Sequence, residues 1–212
     1  VSGNGQVVLI GAEPGLGKSR IVAALQEVLE VEGARVRRYF CSPYHSESPL
    51  HPFANQLSRA FALASGQSLS ERLARVTIAM GGDCPLAASD LNLVAELLGI
   101  DGGEPSEAFA ASPQLKKSRL FELLLADVER AAAGCPVLLV FEDAHWSDPT
   151  SLELLGMMIV LATRLKMMVV ITHRPEFVAP WGASAQLQNL ELDHLDRMAA
   201  SKIVTRVAQG RA

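Results

Sequence analysis

The stretch Val7-Val-Leu-Ile-Gly-Ala-Glu-Pro-Gly-Leu-Gly-Lys-Ser-Arg20 constrains this chain more than any other. Val7 to Ile10 is an apolar run of the length expected for a short buried strand. A Gly/Pro-rich loop, Gly11 to Gly17, follows, and Lys18-Ser19 opens a helix with apolar positions Ile21, Val22, Leu25, Val28 and Leu29. Strand, glycine loop, Lys-Ser and helix is the layout of a phosphate-binding loop. Glycines let backbone N–H groups curl around phosphate oxygens, and the helix N-terminus adds unpaired donors and the positive end of its dipole. The expected cradle is Glu13, Pro14, Gly15, Leu16, Gly17, Lys18, Ser19 and Arg20. Lys18 is placed to reach the β- and γ-phosphates, and the Ser19 hydroxyl to ligate Mg²⁺. One position departs from the pattern G-x-x-x-x-G-K-[ST]: Ala12 stands where it asks for glycine, an extra methyl expected to weaken closure of the loop.

A chain of 212 residues with 49% apolar residues is long enough for one α/β domain with a sizeable core. The net charge of −4 gives no electrostatic case for nucleic acid or a membrane surface. Cys41, Cys84 and Cys135 are widely spaced without metal-ligand spacing, which fits a reduced, cytoplasmic setting. No apolar stretch reaches membrane-spanning length, and no signal segment is read before the first strand. The start at Val1, directly beside that strand, is expected for a fragment of a longer protein.

Gly33 is the expected stop of the first helix, and Arg35 to Cys41 reads as a second strand whose arginines, Arg35, Arg37 and Arg38, form a solvated edge. A Pro/Ser-rich loop carries His45 and His51, surface or capping residues by default because no partner spacing supports a metal. From Pro52 to about residue 100 the spacing is helical. Phe53, Leu57, Ala60, Phe61 and Ala64 mark one helix, Ser68-Leu-Ser-Glu71 caps a second, and Leu86 to Leu98 is a third. This block is a helical insertion where a single crossover is the norm. A loop to Pro113 and a long helix closed by Gly134 follow.

Pro136-Val-Leu-Leu-Val-Phe-Glu-Asp143 is a wholly apolar strand ending in two carboxylates. Such runs are central parallel strands covered on both faces, and ligands sit at their carboxyl ends. An apolar strand ending in acid, downstream of a phosphate loop, is the Walker B arrangement: one acid holds Mg²⁺ and a neighbour orients the attacking water. Asp148 caps a helix rich in Leu and Met. Lys166 to Thr172 is another buried strand, at whose end Thr172 and Arg174 are candidate γ-phosphate sensors; a strand-end cap and a surface arginine fit equally well. Leu187 to Leu192 reads as a last strand and Asp196 to Ala208 as a helix. His145 and Trp146 follow the acids directly; packing near the nucleotide is one reading, a simple buried Trp the other. The alternating pattern predicts a three-layer α/β/α sandwich with a mainly parallel sheet of about five strands.

Further residues carry a family resemblance. Phe141-Glu-Asp-Ala-His-Trp-Ser-Asp-Pro-Thr-Ser-Leu-Glu-Leu-Leu155 resembles the Walker B segment of signal-transducing P-loop ATPases of the AAA/STAND kind. Cys41-Ser-Pro-Tyr-His45 with Ser48-Pro-Leu-His-Pro52, and Thr172-His-Arg-Pro-Glu-Phe177 with Trp181, resemble the ATPase module found C-terminal to class III adenylate/guanylate cyclase domains. The resemblance covers essentially the whole chain. It implies the phosphate-loop strand beside the sensor strand, then the Walker B strand. It also implies a parent protein with a cyclase domain, this ATPase core, a helical lid mostly missing here, and helical repeats. ATP and Mg²⁺ are the implied cofactors, and slow hydrolysis to ADP and phosphate the implied reaction. Ser19 and Glu142 hold the metal; Asp143, or Glu142, orients water. No cyclase activity, direct nucleic-acid contact or membrane contact is implied for this segment. The same module also occurs in large transcription regulators, and a nucleotide-binding scaffold without significant hydrolysis is a further alternative.

Overall fold

The computed structural model describes residues 5–64, 66–82, 85–100, 112–181 and 187–193. Five strands, β1 (Gln6–Gly11), β2 (Arg35–Phe40), β3 (Val137–Glu142), β4 (Met167–His173) and β5 (Leu187–Glu191), form one sheet in the order β2-β3-β4-β1-β5. Every pairing is parallel. The predicted parallel sheet and the neighbours of β1 are therefore as expected, with β4 lying between the phosphate-loop strand and the acid-bearing β3. The last predicted helix, Asp196 to Ala208, and most of the loop before Pro113 lie outside the described residues.

Helices α1 (Lys18–Val31), α2 (His51–Ala60), α3 (Leu69–Gly81), α4 (Ala88–Leu97), α5 (Pro113–Gly134) and α6 (Pro149–Ala162) cover the sheet. Their starts follow from capping chemistry. Ser68 Oγ accepts from the Glu71 N–H while the Glu71 carboxylate accepts from the Ser68 N–H, the capping box expected from the sequence. Ser112 and Asp148 cap α5 and α6, each followed by Pro at the first helical position, where a missing N–H costs nothing. Gly33, after α1, has φ 83°, a left-handed turn that stops the helix.

The strands alternate between two cores. Val7, Leu9, Tyr39, Leu139, Phe141, Val169 and Ile171 meet α2 to α6, while Ile10, Leu138, Val140 and Val170 meet Val22, Leu25 and Leu29 of α1. That division gives the predicted three layers. Tyr39, Phe53 and Phe141 pack ring against ring, with centroids 4.9–6.0 Å apart, and fix α2 on β2 and β3. An apolar run buried on both faces, such as Val137 to Phe141, is what a central parallel strand requires.

The expectation of a solvated arginine edge on β2 is corrected. Arg35 is exposed, but Arg37 is ion-paired with Asp127 of α5, with side chains 13% and 8% exposed, and Arg38 with Glu142 of β3. Neighbouring elements distant in sequence supply these acids. Removing one partner leaves the other as an uncompensated buried charge. Asp127→Ala is therefore expected to lower folding free energy by about 3 kcal/mol in urea denaturation, and Arg37→Met with Asp127→Leu to recover most of it.

Candidate functional site

Parallel pairing brings all strand carboxyl ends to one edge. Ile10 is level with Thr172, Gly11 with His173, and Phe141 with Ile171. At that edge a cavity of about 400 Å³ is lined by Pro14, Gly15, Gly17, Lys18, Ser19 and Arg20 from the loop and the start of α1. Asp143, His145 and Trp146 after β3, and Arg174 after β4, complete it. Loop, second carboxylate and Arg174, one of the two sensor candidates, thus meet in one place. Glu13, Leu16, Glu142 and Thr172 do not line the cavity.

The backbone explains the loop's composition. Gly15 and Gly17 have φ 87° and 94°, where a side chain is strained, although a Cβ would meet nothing within 4 Å. Ala12, where the pattern asks for glycine, is not in the positive-φ region; its methyl is buried at 1% exposure and its N–H donates to the His173 carbonyl. Alanine is therefore accommodated without backbone strain. Gly17 is the N-cap of α1 and its carbonyl accepts from the Arg20 N–H at 3.0 Å, so the N–H groups of Lys18 and Ser19, both in the cavity lining, are the first-turn donors without an intrahelical acceptor. Lys18 Nζ donates to the carbonyls of Ala12 and Glu13 of its own loop.

The acids are treated differently. Glu142, 8% exposed, accepts from Arg38 Nε at 3.0 Å and Nη2 at 2.5 Å, both on Oε1. Asp143 is half-buried in the left-handed region at φ 57°, a conformation that Asp tolerates better than most residues. Its N–H donates to Thr172 Oγ1 at 3.0 Å, and Thr172 is 3% exposed. The Thr172 hydroxyl thus secures the turn that presents Asp143. Arg174, the other sensor candidate, faces the cavity with its guanidinium 5.4 Å from the Trp146 ring.

His145 lines the same cavity with both ring nitrogens buried and unpartnered. Burial lowers its pKa from the ordinary imidazole value, against the opposing pull of the Asp143 carboxylate. Trp146 lines the cavity and also packs partly on the core. His45 and His51 stack on each other with ring centroids 3.7 Å apart. Phe177 and Trp181 pack toward α6, where the Trp181 ring covers Gly156 and its Nε1 donates to the Leu152 carbonyl. Arg38 carries no distinguishing signal in the sequence, being one of three arginines in Arg35-Val-Arg-Arg-Tyr-Phe40.

The hard oxygen donors of Ser19 and Glu142 suit Mg²⁺, which takes one or two protein oxygens and completes its shell with phosphate and water. Among the described residues no group of three or more His, Cys, Asp or Glu could hold a metal, and no helix is long and apolar enough to cross a membrane.

Losing the Thr172 hydroxyl strands the Asp143 N–H. Thr172→Val is expected to cost about 1–3 kcal/mol in denaturant unfolding, and Thr172→Ser, which keeps the acceptor, close to nothing.

Comparisons with known proteins bear on the family and the fold. The sequence profile described as AAA ATPase domain matches residues 1–171. An uncharacterised protein of Rhizobium meliloti (strain 1021) is 28% identical over 196 residues; the match covers 92% of this chain, which spans only 19% of that relative's length. Among solved structures, the Aeropyrum pernix ORC1 protein in complex with DNA aligns over 97% of this chain and 44% of that one, at TM-score 0.51 and 16% identity, a likeness of fold alone. A Signal Transduction ATPase with Numerous Domains (STAND) protein with a tetratricopeptide repeat sensor, from Pyrococcus horikoshii, aligns over 99% of this chain and 24% of that one, at TM-score 0.47 and 15% identity. With four-fifths of its length matched by that profile, the chain belongs to the AAA ATPase domain family.

Proposed function

We propose that this chain is the ATP-binding, Mg²⁺-dependent core of a regulatory ATPase, a nucleotide-gated switch within a longer signalling protein. The observation that carries the reading is the cavity in which Gly15, Gly17, Lys18 and Ser19 face Asp143 and Arg174. On binding, Lys18 exchanges the carbonyls of Ala12 and Glu13 for phosphate oxygens, and the first-turn N–H groups of α1 hold the remaining phosphate charge. Ser19 and Glu142 hold the metal, which when bound offsets charge on the phosphates. Asp143 accepts a proton from the attacking water. The water oxygen bonds to the γ-phosphorus as the bond to the β–γ bridging oxygen breaks, giving ADP and phosphate. The base role falls to Asp143 because it lines the cavity, whereas Glu142 is paired with Arg38. Arg174 senses and stabilises charge on the γ-phosphate.

The small share of the Rhizobium meliloti relative that the chain spans supports a role as one domain, residues 1–212, among others. The segments Cys41 to Pro52 and Thr172 to Trp181 favour a cyclase-associated parent protein with helical repeats, in which the γ-phosphate contacts bias the position of neighbouring domains. Ala12 sits in the loop without backbone strain, which supports a loop able to close on phosphate.

Calorimetric titration of ATP and ADP with Mg²⁺ tests this reading. The intact chain is expected to bind both. Lys18→Ala, which removes a charge-assisted contact, is expected to bind about ten- to a hundredfold more weakly. Absence of binding by the intact chain would overturn the reading. Asp143→Asn is expected to keep ATP affinity but lower turnover about 10²- to 10⁴-fold in a phosphate-release assay.

A further inference from the structure

We propose that Arg38 is a positioning residue for the metal-holding carboxylate of Glu142, and that Arg59 of α2 holds Arg38 in place. The helical segment that follows β2 is thereby tied to the metal site. The proposal rests on the reading of Glu142 as a Mg²⁺ ligand.

The backbone comes first. β2 is an edge strand, bonded to β3 on one side only. The N–H groups of Arg35 and Cys41 donate to carbonyls of Pro136 and Glu142, so the odd-numbered residues of β2 face β3. The carbonyl of Arg38 therefore points along the open edge, where an unpaired acceptor is exposed. Arg59 crosses that edge, and its Nη2 donates to this carbonyl at 3.2 Å.

The side chains complete the link. Arg38 lies on the α1 face of the sheet together with Val36, as Glu142 does together with Leu138 and Val140. Its Nε and Nη2 both donate to Glu142 Oε1, and its Nη1 reaches Gln26 Oε1 on α1 at 3.4 Å. Two donors on one oxygen hold Oε1 in place and leave Oε2 outside the pair. A guanidinium does this and an ammonium cannot, because only the planar fork carries donors at fixed spacing. The guanidinium carbons of Arg38 and Arg59 lie 5.2 and 4.9 Å from the centroid of the same Phe40 ring. Arg59 thus holds Arg38 through its carbonyl and through the ring on which both stack. A shift of α2 moves this seat, and Glu142 turns with it.

ATP is titrated by calorimetry into the full chain, once with Mg²⁺ and once with EDTA, for the natural sequence, Arg38→Met, Arg38→Lys and Arg59→Met. The quantity read is the factor by which Mg²⁺ tightens ATP binding. Loss of a residue that orients a metal ligand typically weakens metal affinity about 10- to 100-fold. Arg38→Met is expected to shrink the factor on that scale and to leave the affinity in EDTA unchanged. Arg38→Lys is expected to restore part of it, and Arg59→Met to shrink it about two- to fivefold, as the loss of one stacking contact implies. Equal weakening in Mg²⁺ and EDTA would mean general disruption and overturn the proposal. A larger Mg²⁺ factor in Arg38→Met would overturn it too, since Arg38 would then compete with the metal. A factor retained in full by Arg38→Met sinks this proposal alone. Absence of any Mg²⁺ effect in the natural sequence sinks the reading of Glu142 as a ligand, and this proposal with it.

Discussion

The level ending of three parallel strands is the constraint on which the chemistry of this chain depends. β1, β4 and β3 stop within one residue of each other, so the glycine loop, Thr172 and the two acids share an edge. A slip of β3 by one residue would send Glu142 to the opposite face of the sheet. Hydrophobic patterning gives little protection against such a slip, because Val137 to Phe141 are buried on both faces. Polar contacts at the strand ends add what the apolar run lacks. Arg38 engages Glu142, and Thr172 Oγ1 accepts from the Asp143 N–H. Each contact exists in one register only. The residues nearest the chemistry therefore also help to set the alignment of the sheet.

The loop is built for a ligand of opposite charge. Gly15 and Gly17 take left-handed backbone angles at the start of α1, where the N–H groups of Lys18 and Ser19 have no intrahelical acceptor. Lys18 meanwhile bonds to carbonyls of its own loop. Those bonds join a cation to neutral carbonyls, and phosphate oxygens, being anionic, would make stronger partners. Ala12 bears on none of this, because glycine is needed only where φ is positive and Ala12 lies outside that region.

What was legible in the sequence follows from the range of the physics involved. The strand, glycine loop and helix from Gln6 to Val31, the capping box at Ser68 and Glu71, the cap at Asp148, Pro113 at the start of α5, and the buried strands are set by neighbours within a few residues. All of these were legible in the sequence. The ion pairs of Arg37 and Arg38 were not, because their partners lie 90 and 104 residues away and become neighbours only once β2 is placed beside β3 and α5 beside both. The hydroxyl of Thr172 suits a sensor and a turn anchor equally well, and only the position of the Asp143 N–H assigns it the second task. His145 is a similar case, since a histidine after two acids has no meaning until its side chain is found in the cavity.

The two faces of the sheet divide the work. The core on the α2 to α6 side is large and aromatic, and it fixes the strands and the segment after β2 as one body. The α1 side has a much smaller buried cluster around Val22, and α1 is the helix whose N-terminus faces the cavity. A nucleotide bound as proposed would therefore act on the more lightly packed layer. At the carboxyl edge that layer is joined to β2 and β3 through Gln26, Arg38 and Glu142. A polar network of this kind changes with the charge beside it, whereas the apolar contacts of α1 do not. A change of charge at the phosphate site thus has a direct physical route to β2, and through the Arg59 bond at its open edge to α2.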